Sequence, residues 1–505
     1  MHSIPMNKRP DMRSAASAAL GTPARRLAAL GLGCLALAAL SLLLPSTPTY
    51  DPWAWIIWGR EVIGLELDTR TGPSWKPLPV LFTTVFAPAG DAAPALWLVV
   101  ARGSAMFALV MAFRVASRLA GRGAWAPLAG GVAAATLLLS SDWFRNAALG
   151  NSEGLLVATV LWGVERHLDG RRDHAFALLY AAGLLRPEIW PFLGLYGLWL
   201  FVREPARRRL VVACFALLPV LWLGPELWGS GDPLRASSRA NDPNPDSPAF
   251  AAHPALEVFL LAWKMLTPPV FVAAVVALGM AFSPRDRRPA TVALAAGALG
   301  WVAIVAAMTE GGYAGNTRYL VLYASIFCVL AGVGTARLVH AAGPLLARGL
   351  RAVPAARAQA ALACVVVAVM ASFSAGSAIA LPGEVREVGE EARADRELEL
   401  AVREAGGPER LRACGSAATG AFEVPALAWK LRVPVSAVSS AEASLPGVLY
   451  SSASASMPVP RVVGGGLRRV AGEGRWRLMA ACGRPSTDVL ASADPLATGQ
   501  GGSIR

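Results

Sequence analysis

The sequence predicts an α-helical polytopic membrane protein of about eleven spans, two of them short, with a small C-terminal α/β extracytoplasmic domain. Three observations predict it. Of 505 residues, 55% are hydrophobic and only 16% charged, too little charge to cover a soluble protein of this length. The apolar residues gather into runs at the scale of a bilayer crossing. The basic residues fall in short clusters between those runs, as topology signals do. The net charge of +13 is therefore no sign of nucleic-acid binding.

Residues 1–26 read as a polar, basic, disordered cytoplasmic tail, ahead of a membrane domain over 27–381. The run 27–44 is as long as a spanning helix and lacks a clean cleavage site, so it is expected to stay as the first span. Further runs occupy 93–116, 125–140, 147–164, 174–185, 189–202, 210–228, 254–282, 290–308, 319–339 and 359–381. The two flanking Arg186-Pro187-Glu188 are too short to cross a hydrocarbon core of roughly 30 Å. Such breaks are tolerated where they are buried in protein or line a wet cavity.

Arginines concentrate in alternate connections, 117–124, 165–173, 203–209, 283–289 and 340–358. The positive-inside rule then puts the N-terminus in the cytoplasm and the C-terminal region outside, in a multi-pass plasma (inner) membrane protein. It also places Asp51, Glu153, Arg186, Glu188 and Arg318 on one external side. Residues 382–484 have the composition of a separate extracytoplasmic α/β domain, and 485–505 read as a disordered tail. Within that domain 384–404 reads as a charged helix. The segments 424–431, 461–463 and 476–480 read as strands.

The stretch 50–79 carries the densest signal. It reads Tyr50-Asp51-Pro52, then Trp53, Trp55 and Trp58, then Arg60-Glu61, and ends in Lys76-Pro77-Leu78-Pro79. Tryptophans at that spacing suit the membrane interface. Charge at that depth is costly unless paired or used. The second external loop supplies Asp142 and Glu153. Glu153 also suits a helix N-terminus, so capping and substrate contact both stay open for it. At the tip 185–188, Arg186 and Glu188 could fix a hairpin by pairing, with Arg186 also facing a cavity. The glycine-rich loop 311–317 leads into Arg318-Tyr319, where snorkelling to the interface is the alternative to ligand binding. The loop 229–253 is long enough to be functional. His253 stands alone, so no metal site is expected.

The order Asp51, Arg60-Glu61, Lys76-Pro77 after a first span resembles the first external loop of the GT-C superfamily of integral membrane glycosyltransferases. It is most similar to the branch holding lipid A aminoarabinose transferases and protein O-mannosyltransferases. It departs from many members at Pro52, where they carry a second acid. The resemblance implies a GT-C-like transmembrane domain and a polyprenyl-phosphate sugar donor. It implies a glycan, lipid or protein acceptor of the cell envelope, and inverting transfer on the outer face. Asp51 would be the base, with Arg60, Glu61, Lys76, Glu153, Arg186, Glu188, Arg318 and Tyr319 binding substrate. No cofactor is implied. The chemistry fits independently: a hydroxyl nucleophile needs a base, and an anionic leaving phosphate needs cations. The rival readings are a lipid or solute transporter, which would show internal repeats, and an inactive envelope scaffold.

Cys34, Cys214, Cys328 and Cys364 lie in apolar runs and read as small hydrophobes. Cys414 and Cys482 are the two in the polar C-terminal region. Outside the cell they are expected to form a disulfide, each at the end of a strand and followed by glycine.

Overall fold

The computed structural model describes residues 22–140, 142–283, 288–349, 353–452, 460–463 and 465–482. Most of the expected N-terminal tail, the whole expected tail 485–505, and Arg285, Arg287 and Arg351 of the basic connections lie outside them. Helix α1 (Thr22–Ser41) begins inside the stretch expected to be disordered. The stretch expected to be the first external loop is itself largely helical, as α2 (Tyr50–Gly64). It ends where Leu65 turns left-handed and its N–H closes on the carbonyls of Glu61 and Val62.

Proline opens many of the elements that follow, where its missing N–H costs nothing. Helix α3 (Pro77–Phe86) leads through a short 3-10 turn into α4 (Ala93–Ala120). Then come α5 (Ala126–Leu138), α6 (Trp143–Ala148), α7 (Glu153–Leu168) and α8 (Arg172–Gly183). A 3-10 turn at Pro187–Ile189 joins α8 to α9 (Trp190–Arg203). The chain continues through α10 (Arg208–Ser230), α11 (Arg235–Ala240), α12 (Pro254–Lys264), α13 (Pro268–Ala281) and α14 (Pro289–Glu310). A 3-10 turn at Thr317–Leu320 opens α15 (Val321–Gly349), and α16 (Ala355–Glu404) follows.

Helix α15 is the axis of the bundle, nearly all buried, and packs on α5, α13, α14 and α16. Two glycines permit that closeness. A Cβ on Gly332 would stand 2.1 Å from the Ala129 carbonyl oxygen of α5. One on Gly334 would stand 1.8 Å from the Ala273 carbonyl oxygen of α13. The apolar parts of α10 and α16 are mostly exposed, as lipid-facing helices should be.

By length and composition, five described helical stretches can cross a bilayer, six if the bent pair α12–α13 counts as one. The expected count was eleven, and the difference has local causes. Run 254–282 is bent by 95° at its break. Helices α8 and α9 have 12 and 14 residues, about 18 and 21 Å at 1.5 Å per residue. Run 147–164 becomes helical as α7 only from Glu153.

The boundary expected at residue 382 falls inside α16, which runs for 50 residues from the apolar bundle into the charged stretch, with Pro382 in its interior. Beyond it lie α17 (Gly407–Cys414) and α18 (Val424–Leu431). Segment 424–431 is therefore helical, not a strand. Val424, Leu427, Ala428 and Leu431 are buried at helical spacing, together with Pro425 in the first turn, a pattern that the short apolar run disguises. The strands are β1 (Ser416–Ala418), β2 (Val438–Ser439), β3 (Glu442–Ser444), β4 (Gly447–Ser452), β5 (Arg461–Val463), β6 (Arg468–Ala471) and β7 (Trp476–Ala481). Five of them form a mixed sheet in the order β2-β1-β4-β7-β6. Strand β1 is parallel to β2 and β4, and β7 is antiparallel to β4 and β6. Strands β3 and β5 pair separately.

This C-terminal unit rests on α2. Trp429 of α18 lies 5.9 Å from Trp53 and beneath Arg60, 5.4 Å from the ring. Lys430 lies over Trp53 and is held by Asp395 of α16 at 3.0 Å. Phe422 meets Tyr50 edge to face at 6.3 Å.

Candidate functional site

Five separate segments bring charge to one place. Asp51 is in the first turn of α2, where the helix dipole favours a carboxylate. Arg318, on the 3-10 turn before α15, donates from Nη2 to Asp51 Oδ2 at 2.7 Å. Lys76 immediately precedes α3. Its Nζ lies 3.4 Å from Ser152 Oγ and 5.0 Å from the Trp55 ring centre. Glu153 opens α7 next to Ser152. Arg186 sits at the break between α8 and the 3-10 turn, extended as a residue before proline must be.

Arg186 is gripped on both sides. Its Nη2 donates to Glu153 Oε1 at 2.6 Å, and its Nη1 is 3.6 Å from Glu188 Oε1. The Tyr313 hydroxyl donates to the same Glu188 oxygen at 2.8 Å. The Arg186 guanidinium lies over the Tyr319 ring at 4.4 Å, and Arg318 lies over it at 5.4 Å. Tyr313 and Tyr319 pack with ring centres 4.7 Å apart. The pair expected to fix a hairpin at 186–188 therefore exists, and it is part of a larger cluster.

The formal charges balance: Asp51, Glu153 and Glu188 against Lys76, Arg186 and Arg318. The Arg318 side chain is 29% exposed, whereas those of Asp51, Arg186, Glu153 and Glu188 are 10% or less. Among the described residues Lys76 makes no ion pair. Glu153 Oε2, Glu188 Oε2, Arg186 Nε and Arg318 Nε make no hydrogen bond among the described residues. Buried polar atoms in this state are costly unless a ligand satisfies them.

Burial pushes the Asp51 carboxyl up, but Arg318, Lys76 and Arg186 outweigh it and hold the group below its ordinary value. Burial, then repulsion from Arg186 and Arg318, pushes Lys76 down to about 8, against the pull of Asp51 and Glu153. Such a lysine carries its charge with little margin, so an arriving anion would be a strong partner for it.

Arg60 and Glu61 do not join this cluster. On one continuous helix Arg60 lies nine residues from Asp51, about 900° around and so on the opposite side, and about 13 Å along. Arg60 Nη2 donates to the Val433 carbonyl at 3.0 Å. Glu61 Oε2 accepts from the Asp68 N–H at 3.0 Å, and burial pushes its carboxyl up to about 7. Asp68 in turn holds Arg70 at 2.6 Å and accepts from Ser436 Oγ at 2.5 Å. These groups tie the end of α2 and the stretch after it to the C-terminal unit.

Tyr313, Ser152 and Trp55 had no site role in the sequence, where they read only as parts of loops and of an interfacial belt. Asp142 was noted there, but nothing local foretold that Thr317 Oγ1 would donate to its carboxylate at 3.1 Å, beside Arg318. Asp142 has a positive φ of 62°, uncommon for a non-glycine residue. Loop 229–253 contributes Arg235, whose guanidinium donates to the Gly72 and Pro73 carbonyls at 2.8 and 2.7 Å, and so lies across the first loop. No group of three metal-ligating side chains occurs among the described residues. Cys414 and Cys482 form a disulfide with Cα atoms 4.5 Å apart. Cys414 ends a helix rather than the strand expected there, and Cys482 follows β7.

No protein-family model matches the chain, and no curated protein matches it. Among solved structures it is similar to ArnT from Cupriavidus metallidurans bound to undecaprenyl phosphate. That match has 14% identity and a TM-score of 0.47, and covers 90% of this chain and 97% of that one. The apo structure of the same protein matches with 14% identity and a TM-score of 0.47, covering 91% and 98%.

Proposed function

We propose that this chain is an inverting membrane glycosyltransferase of GT-C type. It takes a sugar from a polyprenyl-phosphate carrier and passes it to an acceptor hydroxyl of the cell envelope, on the outer face. One observation carries the reading. A carboxylate at a helix N-terminus, a lysine that pairs with no carboxylate among the described residues and a partly exposed arginine converge from residues 51, 76 and 318, over a buried wall of Glu153, Arg186 and Glu188.

Each part has a use. Asp51 takes the proton of the acceptor hydroxyl as that oxygen bonds to the anomeric carbon. The bond from that carbon to the phosphate oxygen breaks on the opposite face. Its electron pair leaves with the polyprenyl phosphate. Lys76 and Arg318 face the charge growing on that phosphate, where preorganised cations are most effective. Arg186, neutralised by two carboxylates, is a wall residue rather than a phosphate ligand. The free oxygens of Glu153 and Glu188 suit sugar hydroxyls, which donate hydrogen bonds. The arginine-rich alternate connections support an outer-face site and an extracytoplasmic C-terminal unit.

The test is the reaction itself. Purified protein in nanodiscs is given a radiolabelled polyprenyl-phosphate sugar and envelope extract. The reading expects label in an acceptor fraction and free polyprenyl phosphate in equal amount. Carrier that stays glycosylated across a panel of pentose and hexose donors would overturn it.

A further inference from the structure

We infer that the donor phosphate and Asp51 compete for the Arg318 guanidinium, so that donor binding is what frees the base. The inference rests on the transferase reading and concerns the regulation of that same site.

The geometry distinguishes the three cations. Arg186 is enclosed by Glu153 and Glu188 and nearly inaccessible. Lys76 makes no ion pair among the described residues but is buried to 8% exposure. Arg318 is the most exposed of the three at 29%, and its one carboxylate partner is Asp51, at 2.7 Å. A phosphate arriving beside Lys76 and Arg318 places a second anion against a guanidinium already neutralised by Asp51. In a poorly screened setting the two anions repel each other strongly. The donor phosphate, a diester of lipid and sugar, has two non-bridging oxygens, as many as the carboxylate, so Lys76 decides the contest by holding the phosphate as well. The carboxylate is therefore the anion that gives way.

The consequence is a base that is masked until it is needed. Hydrogen-bonded to Arg318, Asp51 is a poor proton acceptor, held down also by Lys76 and Arg186. Once the phosphate draws Arg318 away and itself neutralises Lys76, the carboxylate loses its partners and becomes more basic. The carrier-bound sugar is then attacked only where carrier phosphate is seated. The Asp142–Thr317 contact holds the turn that bears Arg318 from its other side, so the exchange needs only side-chain movement.

The exchange makes a prediction opposite to ordinary intuition about site residues. Removing Asp51 should improve donor binding, because it removes the competitor. The measurement is equilibrium binding of a polyprenyl phosphate to the full-length protein in detergent, for wild type, Asp51→Asn, Arg318→Met and the double variant. Asp51→Asn is expected to bind about tenfold more tightly than wild type, the scale of one charge-assisted hydrogen bond. Arg318→Met is expected to bind more weakly. In the Arg318→Met background, Asp51→Asn is expected to give a clearly smaller gain, from relief of anion repulsion alone, since there is no shared guanidinium left to release. Equal or weaker binding by Asp51→Asn would overturn the exchange. So would a gain of the same size without Arg318, which would reflect general charge alone. Failure of wild type to bind polyprenyl phosphate at all would count against the transferase reading itself.

Discussion

Glu61 stands next to Arg60 in the stretch with the clearest functional signature, yet the structure gives it a different task, and Glu61→Gln separates the two roles. Its carboxyl is 5% exposed and accepts one hydrogen bond, from the Asp68 N–H. Its other oxygen makes none. Burial raises the carboxyl from 4.5 to about 7. A carboxyl whose folded value is raised binds its proton more tightly in the folded state. It therefore costs no stability below about pH 4.5, and its cost grows as pH rises and is complete above about pH 7. That cost is about 3 kcal/mol at the conversion of 1.36 kcal/mol per pH unit. Glutamine keeps the acceptor for Asp68 and carries no charge. Its amide nitrogen inherits the place without a partner, at a cost of about 1 kcal/mol. The net expectation is a gain of about 2 kcal/mol at pH 8 that shrinks to nothing by pH 5. Thermal melts of both proteins in one detergent at pH 5 and pH 8 measure it. A pH-independent difference, or a less stable Glu61→Gln at pH 8, would refute the reasoning. Retained transferase activity in this variant would also place Glu61 outside the substrate site.

Arg186→Met leaves Glu153 and Glu188 buried without their shared cation. It is expected to cost about 3–5 kcal/mol of stability, read as a large drop in melting temperature; a melt unchanged within error would show that the cluster is not a buried ion triad. Replacing Cys414 and Cys482 by serine opens a bridge between residues 68 apart in sequence. The chain-entropy model then expects a loss of roughly 4 kcal/mol in the C-terminal unit. Limited proteolysis of that region, with thiol labelling of the denatured wild type, is the check; full labelling without reductant would show that the bridge does not form.

Asp51, Lys76, Arg186 and Arg318 were legible in the sequence because each is a charge beside an apolar run, where a solvated surface residue is least expected. Their convergence was expected, since a lipid phosphate needs cations, but its geometry depends on how α2, α3, α8 and α15 pack. Arg60 and Glu61 fall outside the cluster because a segment read as a loop is a helix, which carries them about 13–15 Å along its axis from Asp51. The helix at 424–431 was hidden by its shortness, since eight apolar-rich residues do not separate a period of two from one of 3.6. Tyr313 was visible only as part of a glycine-rich loop. Its bond to Glu188 joins residues 125 apart and has no local signature. The span count was the least legible feature, because apolar runs report burial without reporting where helices bend or break.

The central claim is that Asp51 is the base of a glycosyl transfer, and the direct measurement is single-turnover transfer by matched amounts of wild type and Asp51→Asn. Both are loaded with radiolabelled polyprenyl-phosphate sugar and mixed with envelope acceptor. The account predicts label moving to acceptor with wild type and, with Asp51→Asn, a rate lower by at least about 100-fold, as loss of a general base requires. Transfer by Asp51→Asn at the wild-type rate would contradict it.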